Sequence, residues 1–170
     1  MANLRSGTNP SASKTINQAS QLHVMENTFT DILQADTDRI TKAQSIATLI
    51  SASKGYVWVG LYDVTADHIS MIASTGETPA VPVFPRNKGL NGRAVANKAV
   101  VVVNDVSKDP DYLTTFDKTQ SEIIIPIFSP VTNEVVGTID VESHSKDTFH
   151  EADIAFLQAC AEQIKTLWNF

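Results

Sequence analysis

Between Ile16 and Leu33 apolar residues recur at Ile16, Ala19, Leu22, Met25, Phe29, Ile32 and Leu33, mostly three or four positions apart, which predicts one stripe of an amphipathic helix. A second stripe follows at Ile40, Ala43, Ile46, Ala47 and Ile50, opened by the capping oxygens of Asp36 and Thr37 and stopped by Gly55. The period then changes. Tyr56–Asp63 is β-branched and aromatic, Thr65-Ala66-Asp67 is turn-like, and His68–Thr75 sets Ile69, Met71 and Ala73 against His68, Ser70 and Ile72, so a hairpin is predicted. Gly76–Lys88 contains three prolines and no period, Gly89–Asn97 predicts a short helix, and Ala99–Asn104 predicts a buried strand. Val106–Gln120 reads as a long polar loop with one helical turn, and loops of that length are usually functional. Strands Ser121–Phe128 and Glu134–Glu142 follow. Phe149–Phe170 closes the chain as a helix, with Ile154, Leu157, Cys160, Ala161, Ile164, Leu167 and Trp168 on its apolar stripe.

This order predicts an α+β domain in which helices pack on one face of an antiparallel sheet and a ligand pocket lies on the other. Strand parity then sorts the residues. Val57, Val59 and Leu61 share one face, and Trp58, Gly60 and Tyr62 share the opposite one. By the same rule Glu122 opposes Ile123, Ile125 and Ile127, and Asp140 and Glu142 oppose Ile139 and Val141. If the strands align, an aromatic wall stands beside three carboxylates, which suits a ligand carrying an ammonium or sulfonium-like group. The competing reading is that the acids face solvent and the aromatics pack at an edge.

With 170 residues, 42% of them hydrophobic and 19% charged, the chain is expected to form one domain over residues 16–170 behind a polar tail at 1–15. Thirteen basic residues against nineteen acidic ones leave a net charge of −6, and the basic residues are scattered singly, so no nucleic-acid partner is expected. No apolar run is long enough to span a bilayer or serve as a secretory signal, so no membrane association is expected. Cys160 is the only cysteine, which fits a reducing compartment; a cytoplasmic location is expected.

VWVGLYD, PRNKGLNGRAVANKAVVVVNDV, SEIIIPIF and EVVGTIDVESHSKDTFHEADIAFL resemble the successive blocks of a GAF domain, specifically of its free methionine-R-sulfoxide reductase branch, over about Phe29 to Leu167. The resemblance implies that Trp58 and Tyr62 embrace the sulfoxide methyl region, while Glu122, Asp140 and Glu142 grip the substrate's amino group. The last of these is an aspartate in the family, and the glutamate lengthens the arm by one methylene. Reduction of this kind needs one thiolate to attack sulfur and a second thiol to resolve the product as a disulfide. The family's cysteines fall at Asn91 in GLNG and at Thr115 in the loop before SEI, and neither side chain can do thiol chemistry. Cys160 lies on an apolar helical stripe and is expected to be a packing residue.

Other members of the family leave partial traces. Asn97-Lys98 and Phe116 match the cyclic-nucleotide motif in kind, but Gln120-Ser121 stand where its acidic pair would be. The pocket cysteine of bilin-binding members is absent. His68, His144 and His150 are expected to be exposed rather than haem ligands, so no metal and no cofactor are expected. Lys88 to Arg93 place backbone N–H groups and two cations at a helix start, which could hold a carboxylate; the alternative is that Asn91 simply caps the helix.

The expected function is therefore recognition of a small amino-acid-like or amine-bearing metabolite without reductase activity, with Trp58, Tyr62, Glu122, Asp140, Glu142, Asn91 and Thr115 as the ligand-binding set. The alternatives are a free methionine-R-sulfoxide reductase using an unrecognised thiol, and a structural dimerisation module. No fused output module is expected within 170 residues, so any signal is expected to pass through a partner or a homodimer. The terminal helices, with Trp168 as anchor, are the expected contact between copies.

Overall fold

The computed structural model describes residues 24–79, 81–114 and 116–168; the expected tail at 1–15 and the first turns of the predicted first helix lie outside them. Helix α1 occupies residues 24–34. Helix α2 (Arg39–Lys54) starts at Asp38, one residue beyond the expected caps, where the carboxylate accepts the Thr41 N–H at 2.8 Å. It stops at Gly55, which takes the left-handed conformation (φ 71°) that ends helices most easily without a Cβ.

Strands β1 (Trp58–Val64), β2 (His68–Ser74), β3 (Val83–Pro85), β4 (Val101–Val103), β5 (Ser121–Phe128) and β6 (Val135–Ser143) form one antiparallel sheet in the order β3-β2-β1-β6-β5-β4. The sequence predicts five of them. β3 lies in the proline-rich stretch read as loop, and its three residues pair only with β2 at the sheet edge, where a proline's missing N–H costs no ladder bond. A bulge opposite Leu61 and Tyr62 leaves Ile72 as an extra residue, because Leu61 pairs with Ala73 and Tyr62 with Met71. The predicted grouping of Ile69, Met71 and Ala73 is thereby split. Ala73 joins the helical core, whereas Ile69 and Met71 pack with Trp58 and Tyr62 on the other face.

Val59, Leu61, Ile123, Ile125, Ile127, Ile139 and Val141 form the aliphatic face. It packs against Ile46 and Ile50 of α2, Phe29 of α1, and Leu157, Cys160 and Ile164 of helix α4 (Glu151–Ile164). A 3-10 turn, Lys165–Trp168, then folds the chain back over the sheet. Leu167 and Trp168 are buried there, with the indole against Gly137. Arg39 fastens the turn: its Nε donates to the Leu167 carbonyl at 2.9 Å, its guanidinium grips Asp63 at 2.5 and 2.8 Å, and its charge lies 5.8 Å from the Trp168 ring centre. Trp168 is thus part of its own chain's core, which corrects its expected role as the anchor between copies. No helix among the described residues is long and apolar enough to cross a membrane.

Helix α3 (Gly89–Asn97) lies on the second face of the sheet, with Leu90 and Ala94 packed on Val101, Val103 and Ile124. That face is covered rather than open, because a nine-residue helix and the loop after β4 supply it with a second, smaller apolar cluster. The chain entering α3 folds tightly against the helix because Gly92 has no side chain. A Cβ there would lie 2.7 Å from the Asn87 carbonyl carbon and 2.8 Å from the Arg86 oxygen, both backbone atoms that cannot turn aside. Gly92→Ala should therefore lower stability by about 1–3 kcal/mol, overriding alanine's better helix propensity. A denaturant midpoint at or above wild type would contradict this placement of α3.

Candidate functional site

Strand register assembles the residues that parity placed on one face. β1 pairs with β6 so that Trp58 is opposite Glu142, Gly60 opposite Asp140 and Tyr62 opposite Thr138. β5 pairs with β6 so that Glu122 is opposite Glu142 and Ile124 opposite Asp140. Trp58, Glu142 and Glu122 therefore make one row across three strands, with Gly60 and Asp140 in the next row on the same face. The three carboxylates are 1–4% exposed, which disposes of the reading that they face solvent.

Asn91 and Thr119 each hold an oxygen of one β6 acid. Asn91 donates from Nδ2 to Asp140 Oδ2 at 2.8 Å, and its Oδ1 accepts the Thr138 hydroxyl at 2.6 Å. Thr119 donates its hydroxyl to Glu142 Oε2. Asn91 sits inside α3 rather than capping it: the cap position is Lys88, which makes no side-chain bond there. Asn91 thus orients a buried carboxylate. Among the described residues, Glu122 Oε2 and Asp140 Oδ1 are buried with no hydrogen-bond partner.

Burial, followed by the charges of Asp140 and Glu142, pushes the Glu122 carboxyl well above the usual carboxylate range. Burial and Glu142 do the same to Asp140, against the opposing pull of the Asn91 amide. The Tyr62 phenol is also raised, by burial first and by the acids second. Arg93 opposes the shift at Glu122, but its guanidinium is already gripped by Asp109 at 2.7 and 3.0 Å and by Asp111 at 3.1 Å. This ion pair ties the loop after β4 to α3.

The aromatic wall forms as well. The far ring atoms of Trp58 and Tyr62 lie over the bare backbone of Gly60, Phe116 meets Trp58 edge-on with ring centres 5.5 Å apart, and Phe84 lies 5.9 Å from Tyr62. Trp58 Nε1 donates to the Glu77 carbonyl at 3.0 Å. Outside Trp58 a groove of about 530 Å³ opens between Val57, Glu77, Phe116, Lys118 and His144. Trp58 is its shared wall with the interior, and none of the three acids lines it. Thr115, expected in the site, lies outside the described residues. Thr138 and Thr119 were not singled out from the sequence, although Thr138 shares the parity of Asp140 and so could have been. No group of three His, Cys, Asp or Glu among the described residues is arranged to hold a metal ion.

Cys160 lies on the other side of the sheet, within the helical core, where burial pushes its thiol up to about 12.

A sheet that separates a helical core from a walled polar interior is a small-molecule-binding architecture. The chain belongs to the GAF domain family, whose model matches residues 36–166. It is 30% identical over 132 residues to Protein YtsP of Bacillus subtilis, covering 76% of this chain and 80% of that protein. The free methionine-R-sulfoxide reductase of Neisseria meningitidis, solved in complex with its substrate, superposes with a TM-score of 0.78 at 25% identity, covering 99% of this chain and 96% of that one. The type II enzyme of Thermoplasma acidophilum gives 0.72 at 29% identity, over 77% and 92% of the two chains.

Proposed function

We propose that this GAF domain binds a small amine-bearing metabolite between its aromatic wall and its buried acids, and that it acts as a sensor without reductase activity. One observation carries the reading: Glu122 Oε2 and Asp140 Oδ1 are buried without partners on neighbouring strands, in adjacent rows of the same face, next to Trp58, Tyr62 and Gly60. Two such acceptors cost stability until a donor reaches them, and an ammonium group is the donor that also matches their charge. The rings supply the matching surface, because their faces attract cations and alkyl or thioether chains alike.

Two features speak against the reductase chemistry of the relatives. The first thiol's place is taken by Asn91, whose amide is engaged with Asp140 and Thr138. The chain's one thiol is in the opposite layer and remains protonated at neutral pH. Reduction of a sulfoxide by a thiolate leaves a sulfenic acid that a second thiol must resolve, and a chain with one cysteine cannot form that disulfide internally. Turnover of free methionine-R-sulfoxide with dithiothreitol should stay at background, equally for wild type and Cys160→Ser. Activity that disappears in Cys160→Ser would overturn the sensor reading.

A further inference from the structure

We infer that the Trp58 indole is a resident plug: in the empty protein it fills the place beside the buried acids that a ligand takes, and binding drives it outward into the groove behind it. This rests on the binding reading above and adds how the site opens and how it reports.

Glu122, Asp140 and Glu142 are buried, and the groove outside Trp58 is lined by none of them. The space over Gly60, opposite Asp140, is filled by the protein itself. A Cβ at Gly60 would press into Trp58 Cη2 and lie 2.8 Å from Trp58 Cζ3 and 2.9 Å from Tyr62 Cε2. A ligand that enters here to reach the acids therefore displaces a ring. Of the two rings, Trp58 is the one with somewhere to go, because the groove it borders has about 530 Å³, within the size range of ligand pockets and ample for an indole.

The restraints on the two rings differ in kind. Tyr62 lies inside β1, paired with β2 on one side and β6 on the other, and packs on Phe84 of β3. Trp58 is the first residue of β1, paired in the ladder with β6 alone, and Val57 before it is exposed. Its indole is held from outside by two loops. Nε1 donates to the carbonyl of Glu77, in the exposed turn after β2, and Phe116, in the loop before β5, meets the ring edge-on. One hydrogen bond near the surface and one aromatic edge contact make a light latch.

The same movement gives the domain an output. An indole that turns into the groove breaks the Glu77 bond and pushes Phe116 aside. Phe116 opens a turn that ends at Thr119, whose amide bonds the Phe116 carbonyl and whose hydroxyl bonds Glu142. Arrival of a cation at the acids is thereby coupled to the exposed residues of that turn, Asp117 and Lys118. A filled seat also lowers affinity, because only the open fraction of molecules binds, so loosening the latch tightens the ligand.

Calorimetric titration of the full chain at pH 7.5 with 3-(methylthio)propylamine, cadaverine and methionine, paired with tryptophan emission and acrylamide quenching, tests this. A ligand that binds should shift emission to the red and raise quenching at least twofold at saturation. Trp168 lies in the opposite layer, and the same change in Trp168→Phe assigns it to Trp58. Phe116→Ala, with Phe116→Leu as the milder variant, should bind that ligand threefold or more tighter and show raised quenching before any ligand is added. Binding that leaves Trp58 emission and quenching unchanged overturns the inference and leaves the binding reading standing. An affinity in the folded Phe116 variant equal to or weaker than wild type does the same, since Phe116 would then be a wall of the seat or a bystander. Binding of none of the three compounds overturns both.

Discussion

Glu122→Gln should raise the melting temperature of the ligand-free protein at pH 8, although it deletes a charged residue from the interior. In the fold, burial and the neighbouring acids hold the carboxyls of Glu122 and Asp140 well above their usual range, whereas in the unfolded chain they titrate near pH 4. Between those values the native state binds more protons than the unfolded one, so stability falls as pH rises from about 4 through the raised folded values. The glutamine stays neutral throughout and removes one member of the repelling set. The gain expected at pH 8 is about 1–2 kcal/mol, which at this chain length is about 2–8 °C. The difference should close toward pH 4, where both forms are neutral. Thermal melts of wild type and variant across pH 4–8 would check this. An equal or lower melting temperature for Glu122→Gln at pH 8 would show that its carboxylate is already compensated. The same substitution should weaken an amine ligand tenfold or more, because a charge-assisted bond worth about 1.5–3 kcal/mol is lost. Stability given up in the empty protein is the expected signature of a site kept for a cation.

The second large effect is expected at Gly60. Its position is opposite Asp140 and under both rings: a Cβ there would press into Trp58 Cη2, lie 2.8 Å from Trp58 Cζ3 and 2.9 Å from Tyr62 Cε2. Trp58 is held on its other side by Phe116 and by the bond from its Nε1 to Glu77, so the indole cannot yield without leaving its place. Gly60→Ala should therefore cost about 1–3 kcal/mol of stability through overpacking. It should also shift tryptophan emission to the red as Trp58 gains water, and reduce amine affinity by tenfold or more. Unchanged emission together with unchanged stability would show that the two rings do not rest on Gly60.

Much of this site was legible before any coordinates, and for a definite reason. β1, β5 and β6 carry no bulge where they cross the site, so counting by twos from Trp58, from Glu122 and from Asp140 gives the correct face each time. Where a bulge does occur, at Ile72, the same counting misassigns Ala73. α3 and β5 begin and end at the residues that periodicity and turn chemistry indicate. What parity could not supply is the cover. Asn91 and Thr119, which bond Asp140 and Glu142, and Phe116, which packs on Trp58, lie on a short helix and an aperiodic loop. The bond from Asn91 to Asp140 spans 49 positions of sequence with no local signal. Trp168 misled for a similar reason, since an apolar helix end looks the same whether it meets another copy or turns back over its own sheet.

Calorimetric titration of 3-(methylthio)propylamine in two buffers of different ionisation enthalpy tests the central claim most directly, because it counts protons as well as ligand. Burial and the neighbouring acids raise both carboxyls, and an ammonium group beside them favours their ionised form. Binding to the wild type should therefore release protons to the buffer at pH values below those raised ones. Affinity should rise with pH until those carboxyls are ionised, and both effects should vanish in Glu122→Gln/Asp140→Asn. Binding whose heat is independent of buffer, or the same proton release in the double variant, would contradict the assignment of the buried acid row as the ligand site.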